Sequence, residues 1–247
     1  MDVLVVVNPS FIPQLTAAGI PEEKVCYIPN FVSTTDFYPK SAVDKQMDRE
    51  RLGFSQDDFV VLGVGQIQKR KGVDDFIQLA KDNPHIRFVW AGGFSFGKIT
   101  DGYDDYKEVY ENPPANLMFT GIVDREELVD YYNAADVFLL PSYNELFPMS
   151  ILEAFSCQTP VMLRELDLYE SVISGYYIGT KDRKEMSEKL NQLAQDPVQL
   201  THFSELSAEA AQHYSEDNVA KIWHRFYTEL AAGRKPELNP ANREVRP

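Results

Sequence analysis

The feature that most constrains this chain is its alternation of short apolar runs with amphipathic segments. Eight runs read as strands: 3–7 (VLVVV), 24–28 (KVCYI), 59–64 (FVVLGV), 86–91 (IRFVWA), 117–120 (LMFT), 137–141 (VFLLP), 160–163 (PVML) and 176–178 (YYI). Most are apolar at every position. A strand with one wet face alternates apolar and polar residues, whereas a strand covered on both faces does not. Between the runs lie segments with helical spacing, at 10–18, 72–82, 104–111, 125–135, 149–157, 167–173 and 181–195. Strand and helix alternating at this interval predict an α/β fold, a doubly wound parallel sheet.

After residue 197 the strands stop, and 198–213 and 216–232 read as two C-terminal helices. Ser215 is placed to cap the second, and Asp124 to cap 125–135, with Glu127 completing a capping box. Residues 40–50 could form a surface helix. The ending GRKPELNPANREVRP (233–247) is polar and rich in proline and asparagine, so a disordered tail is expected there. No internal repeat or Gly/Ser linker interrupts 1–232, and one domain is the simplest account.

Charge narrows the partners. With 38 acidic and 24 basic residues the formal net charge is −14. Such a field repels phosphate polymers, which disfavours nucleic acid as a partner and disfavours adhesion to anionic lipid through this part of the molecule. The apolar opening ends at Asn8-Pro9, well short of a membrane span, and lacks a basic leader, so the expected compartment is the cytosol. Cys26 and Cys157 lack metal-ligand spacing and are expected as two buried small side chains.

Two loops could carry chemistry, because ligands bind open parallel sheets at the carboxyl ends of strands, often against a helix N-terminus. The first follows strand 59–64 and reads Gly65-Gln66-Ile67-Gln68-Lys69-Arg70-Lys71-Gly72. Its cations stand out in an acidic chain, and Lys71 would stand at the mouth of the next helix, where a diphosphate could be neutralised. A solvated basic turn is the plain alternative, and neither a Walker loop nor a dinucleotide fingerprint is present. The second loop follows strand 137–141. Glu145 and Glu153 bracket Phe147-Pro148-Met149-Ser150, and Pro148 suits the first position of a helix. The amides of Met149, Ser150 and Ile151 would then point outward as donors. Glu145 would sit in the loop and Glu153 inside the helix, so both carboxylates could face one ligand from different heights. A surface glutamate plus a helical one is the plain alternative.

Taken together the motifs resemble a known family. ELFPMSILEAFSCQTPV (145–161) is similar to the E-x7-E signature of retaining glycosyltransferases of the GT-B fold, family 4 (group 1) type. VGQIQKRKG (64–72) resembles that family's V-G-R-L-x-x-x-K-G. FTGIV and AADVFLLPS match its intermediate strands, and KVCYIPNFVSTTDFYP (24–39) resembles the segment that opens its donor-binding domain. The likeness covers about residues 1–230 in family order. It implies one Rossmann-like half of a GT-B enzyme, with 1–23 closing a missing N-terminal acceptor domain that would supply the catalytic His or Asp. The four histidines here (His85, His202, His213, His224) lie outside both loops.

By position, the resemblance implies that Lys71 contacts a donor diphosphate, in a loop with Gly65, Gln66 and Arg70. Glu145 would bind hydroxyls of the transferred sugar, as the chemically central residue. Glu153 would hold the ribose, and residues Phe147, Pro148, Met149, Ser150 and Ile151 would line sugar and phosphate. Backbone at Ile122 and Val123 would meet the base. No cofactor or metal is implied, only a UDP-sugar donor, UDP-glucose by likeness to Gram-positive transferases that glucosylate diacylglycerol or its monoglucosyl form. Membrane contact would come only through the missing half, making the full-length enzyme peripheral to the inner membrane face. The chain departs from the pattern at Gln66 (usually arginine), Pro148 (glycine), Phe31 and Ser33 (Gly and Asp), and Gln158 (glycine). Arg70 is the cation that could compensate for Gln66. The other readings are a GT-B-like UDP-N-acetylhexosamine epimerase, a dinucleotide binder, a glycoside hydrolase using Glu145 and Glu153, and a non-catalytic nucleotide-binding module.

Overall fold

A computed structural model describes residues 3–95, 97–100 and 102–234. Of the tail expected at 233–247, residues 235–247 lie outside the described residues. The order of elements is β1 (Leu4–Val6), α1 (Ile12–Ala17), β2 (Val25–Tyr27), α2 (Ala42–Arg51), β3 (Val60–Val64), α3 (Val73–Asp82), β4 (Arg87–Ala91), α4 (Tyr103–Glu111) and β5 (Leu117–Gly121). There follow α5 (Arg125–Ala134), β6 (Val137–Leu140), α6 (Met149–Ser156), β7 (Val161–Arg164), α7 (Asp167–Glu170), β8 (Ile178–Thr180), α8 (Arg183–Leu193), α9 (Pro197–His213) and α10 (Glu216–Ala231).

Six strands form one parallel sheet in the order β5-β4-β3-β6-β7-β8. The chain runs outward from β3 to β5, returns to pair β6 with β3, then runs outward the other way. This is the Rossmann-like doubly wound arrangement, and its switch point lies between β3 and β6. β1 and β2 stand apart as a two-stranded parallel sheet. Run 24–28 therefore does not enter the main sheet; its Cys26 and Ile28 pack with Val219 and Phe226 of α10 in a small core, while Val25 and Tyr27 join the large one.

The strands explain their own composition. On β3, Val60, Leu62 and Val64 enter one core with Tyr132 of α5 and Ile151 and Phe155 of α6, while Val61 enters another with Phe76 of α3 and Leu190 of α8. On β6, Phe138 and Leu140 divide from Val137 and Leu139 in the same way. Both faces of the central strands are dry, so an alternating sequence would have buried unpaired polar groups.

Three local expectations fail. Run 176–178 is displaced: Tyr176 turns back to the carbonyl of Ile173, and the strand starts at Ile178, where Met162 pairs with it. Tyr176 and Tyr177 are apolar because they pack on the core from outside the sheet. Asp124 occupies the N-cap position of α5, but its side chain makes no capping bond; its backbone carbonyl takes the amides of Glu127 and Leu128. Pro148 is the N-cap of α6 rather than its first residue, with φ −71° and ψ 134°. Ser215 does cap α10, accepting from the amide of Asn218. Cys26 and Cys157 are both buried and unbridged.

Candidate functional site

The two loops named from the sequence leave adjacent strands, β3 and β6, at the switch point, and they are joined to each other. After β3, the amides of Gly65 and Ile67 bond the carbonyls of Ala91 and Gly93, and the indole of Trp90 donates to the Gly65 carbonyl at 2.9 Å. Lys69–Lys71 then form a single 3-10 turn that ends at Gly72. Gly72 has φ +69°, and a Cβ built there would lie 2.2 Å from the carbonyl oxygen of Pro141, at the end of β6. Only glycine lets the backbones approach this closely. The amide of Tyr143 donates to the Arg70 carbonyl at 2.9 Å and completes the junction.

Beneath the junction lies an ionic brace. Tyr143 donates from its hydroxyl to Asp75 Oδ2 at 2.8 Å, Arg164 pairs with the same carboxylate, and its guanidinium lies 4.4 Å over the Tyr143 ring. Arg164 also donates to the Pro141 carbonyl at 3.1 Å. These partners come from α3, β7 and the loop after β6, and no spacing in the sequence announces them. Asn8, fully buried, ties the second loop to the β1 segment. Its amide nitrogen donates to the carbonyls of Leu168 (3.0 Å) and Leu146 (3.4 Å), and its Oδ1 accepts from the Ser10 amide. The Asn-Pro dipeptide marks a strand end in the sequence but gives no sign of this role.

Between the loops is a cleft of about 410 Å³. Gly65, Gln66, Arg70 and Lys71 form one wall, and Glu145, Phe147, Pro148, Met149 and Ser150 form the other. Lys71 Nζ lies 2.5 Å from Glu145 Oε1, which also accepts from the Ser142 hydroxyl at 2.7 Å. Arg70 lies 3.7 Å from Glu145 Oε2, and its Nε donates to Gln68 Oε1 at 3.0 Å. Gln68 in turn donates to Gln66 Oε1 at 2.8 Å. Gln66 therefore supplies no charge but anchors a side-chain relay that ends on the guanidinium. Ser142 and Gln68 carry no motif and were not singled out from the sequence.

The first-turn amides of Met149 and Ser150 have no carbonyl of α6 to bond and carry the positive end of its dipole. Ile151 differs from expectation: its amide bonds the Pro148 carbonyl at 3.3 Å and its side chain is buried in the core. The two glutamates expected to face one ligand stand in different surroundings. Glu145 lines the cleft; Glu153 lies outside that lining, its Oε2 accepting from the hydroxyl of the buried Tyr132 at 2.9 Å and Arg125 standing 3.9 Å from Oε1. Burial pushes the Glu153 carboxyl above its ordinary pKa, and the Tyr132 hydroxyl and Arg125 pull it partly back. Ile122 is exposed and Val123 half-buried; they follow β5 along the same sheet edge, outside the cleft lining, with the Ile122 amide 3.5 Å from where a Cβ on the neighbouring Gly93 would be. The described residues hold no cluster of three His, Cys, Asp or Glu suited to a metal ion, and no helix among them is long and apolar enough to cross a membrane.

Known proteins resemble this chain in sequence and in fold. A synthase of Streptococcus pneumoniae named alpha-galactosylglucosyldiacylglycerol synthase is 52% identical over 236 residues, which are 95% of this chain and 63% of that protein. Alpha-monoglucosyldiacylglycerol synthase of Acholeplasma laidlawii is 26% identical over 86% of this chain and 54% of that protein. This chain thus spans about six-tenths or less of these relatives' lengths. Among solved structures, a sucrose-phosphate synthase from Thermosynechococcus elongatus superposes with a TM-score of 0.81 at 24% identity, over 94% of this chain and 59% of that one. Anabaena HepE, solved with UDP-glucose, superposes with a TM-score of 0.78 at 19% identity, over 94% and 64%. The family model described as glycosyl transferases group 1 matches residues 44–213, which take in both loops and the whole six-stranded sheet, and the chain belongs to that family.

Proposed function

We propose that this chain is the donor-binding half of a retaining glycosyltransferase that moves a hexose from a UDP-sugar to a glycolipid acceptor. The observation that carries the reading is the convergence of Lys71, Arg70 and the α6 amides on one cleft, with Glu145 among them. A diphosphate placed there would meet two cations and a helix N-terminus, groups fixed in advance for the charge of a departing UDP. The anomeric C–O bond to the diphosphate breaks, UDP leaves with the electron pair, and an acceptor hydroxyl bonds the anomeric carbon and gives its proton to the departing diphosphate. Lys71 and the amides of Met149 and Ser150 would stabilise the leaving group without a metal. Glu145 would hold the sugar, and Glu153 would reach the ribose by releasing Tyr132.

The pneumococcal relative's name describes an α-galactosylglucosyl lipid. An α product from a UDP-hexose, itself α-linked, is retention, and the name favours galactose over the glucose expected from the sequence. The acceptor would bind mainly to a further N-terminal half. Calorimetric titration with UDP, UDP-galactose, UDP-glucose, GDP-mannose and NAD tests the reading. UDP and a UDP-hexose should bind; binding of NAD without UDP would refute it.

A further inference from the structure

Glu145 is a carboxylate standing where an anion is expected to bind. Its Oε1 takes both Lys71, at 2.5 Å, and the Ser142 hydroxyl, while Arg70 approaches Oε2 at 3.7 Å. The Glu145 and Lys71 side chains are 5% and 11% exposed, so this is a buried pair rather than a surface contact. Among the described residues, Glu145 is also the one acidic residue in the cleft lining. We infer that Glu145 holds the place of the donor diphosphate, and that this exchange makes the cleft discriminate an intact UDP-hexose from free UDP. The inference rests on the reading of the cleft as a UDP-hexose site.

The argument is one of partners. A diphosphate that draws on Lys71 and Arg70 competes with Glu145 for them, since Lys71 donates to the carboxylate and Arg70 stands 3.7 Å from it. If the ligand is UDP, the carboxylate keeps Ser142 but loses its cations, and it stays buried close to a new negative charge, which is costly. If the ligand is a UDP-hexose, sugar hydroxyls lie next to the diphosphate and donate to the freed carboxylate. Glu145 thus penalises UDP and rewards the donor, which favours loading of substrate and release of product from the same residue. Gln68 serves the exchange as a positioning residue: tethered to Gln66, it holds Arg70 within reach of either anion.

The test is calorimetric titration of wild type, Glu145→Gln and Glu145→Ala with UDP, UDP-hexose and inorganic pyrophosphate, after thermal melting has established that each variant folds. A hydrogen bond to a charged group and its loss correspond to about a tenfold change in affinity. Glu145→Gln should bind UDP and pyrophosphate about tenfold more tightly than wild type and UDP-hexose more weakly, and Glu145→Ala should repeat both directions. If wild type binds UDP-hexose but the variants bind UDP and pyrophosphate no more tightly, the placeholder role is wrong while the donor site stands. If wild type binds none of the three ligands, the donor-site reading fails and takes this inference with it.

Discussion

Gly72→Ala tests how the fold builds the cleft. An alanine at φ +69° costs about 1–2 kcal/mol for the left-handed conformation alone. Its Cβ would lie 2.2 Å from the Pro141 carbonyl, where such contacts do not fall below 3.0 Å, so the two loops must part by at least 3.0 − 2.2 = 0.8 Å. Forcing that shift in a close-packed junction adds about 1–3 kcal/mol, for a total of roughly 2–5 kcal/mol. In a domain of this size the melting midpoint should fall by about 10 °C. UDP affinity should fall about tenfold, because Lys71 is the residue next to the displaced glycine. Gly53→Ala is the control: φ is +80° there, but nothing lies within 4 Å of the added Cβ, so only the conformational cost of about 1–2 kcal/mol applies. Thermal melts and UDP titrations of both variants separate the two contributions. Equal falls in midpoint for Gly72→Ala and Gly53→Ala would refute the close-approach argument.

Three further outcomes are expected. Lys71→Ala should lose about a hundredfold in UDP affinity by titration, since it removes a buried charge-assisted contact; unchanged affinity would remove Lys71 from the diphosphate site. Gln158 has φ +59°, in the left-handed region at the end of α6, so Gln158→Gly should stabilise the chain by about 1 kcal/mol in denaturant unfolding. Glu153 has a raised carboxyl pKa in the folded state, so the folded form binds that proton more tightly than the unfolded chain; ionisation of Glu153 therefore subtracts stability as pH rises through the folded value. Glu153→Gln should be more stable than wild type at neutral pH, with the gap closing as pH falls towards the ordinary carboxylate range, and a gap independent of pH would contradict the burial argument.

Much of this was legible in the sequence for a physical reason. Strands dry on both faces leave a continuous apolar record, and β3 through β7 fall where those runs are. The site loops were legible because glycine and proline report backbone constraint: Gly72 marks the close approach to Pro141, and Pro148 marks the start of α6, one position from where it was expected. The relay of Gln66, Gln68 and Arg70 was not legible, because a glutamine ahead of a run of cations reads as any polar loop residue. Asn8 and the brace of Asp75, Tyr143 and Arg164 were hidden for another reason: their partners are brought together only by the winding of the sheet. Glu153 shows the same limit from the other side, since the E-x7-E spacing gave its helix but not its bond to Tyr132.

The central claim is that the diphosphate of a UDP-sugar sits between the loop after β3 and the start of α6. The direct measurement is a crystal structure of the chain with UDP bound. The account predicts phosphate oxygens within hydrogen-bonding distance of Lys71 Nζ and of the Met149 or Ser150 amide, with Glu145 displaced from Lys71. Phosphates bound elsewhere, with the Lys71–Glu145 pair intact, would contradict it.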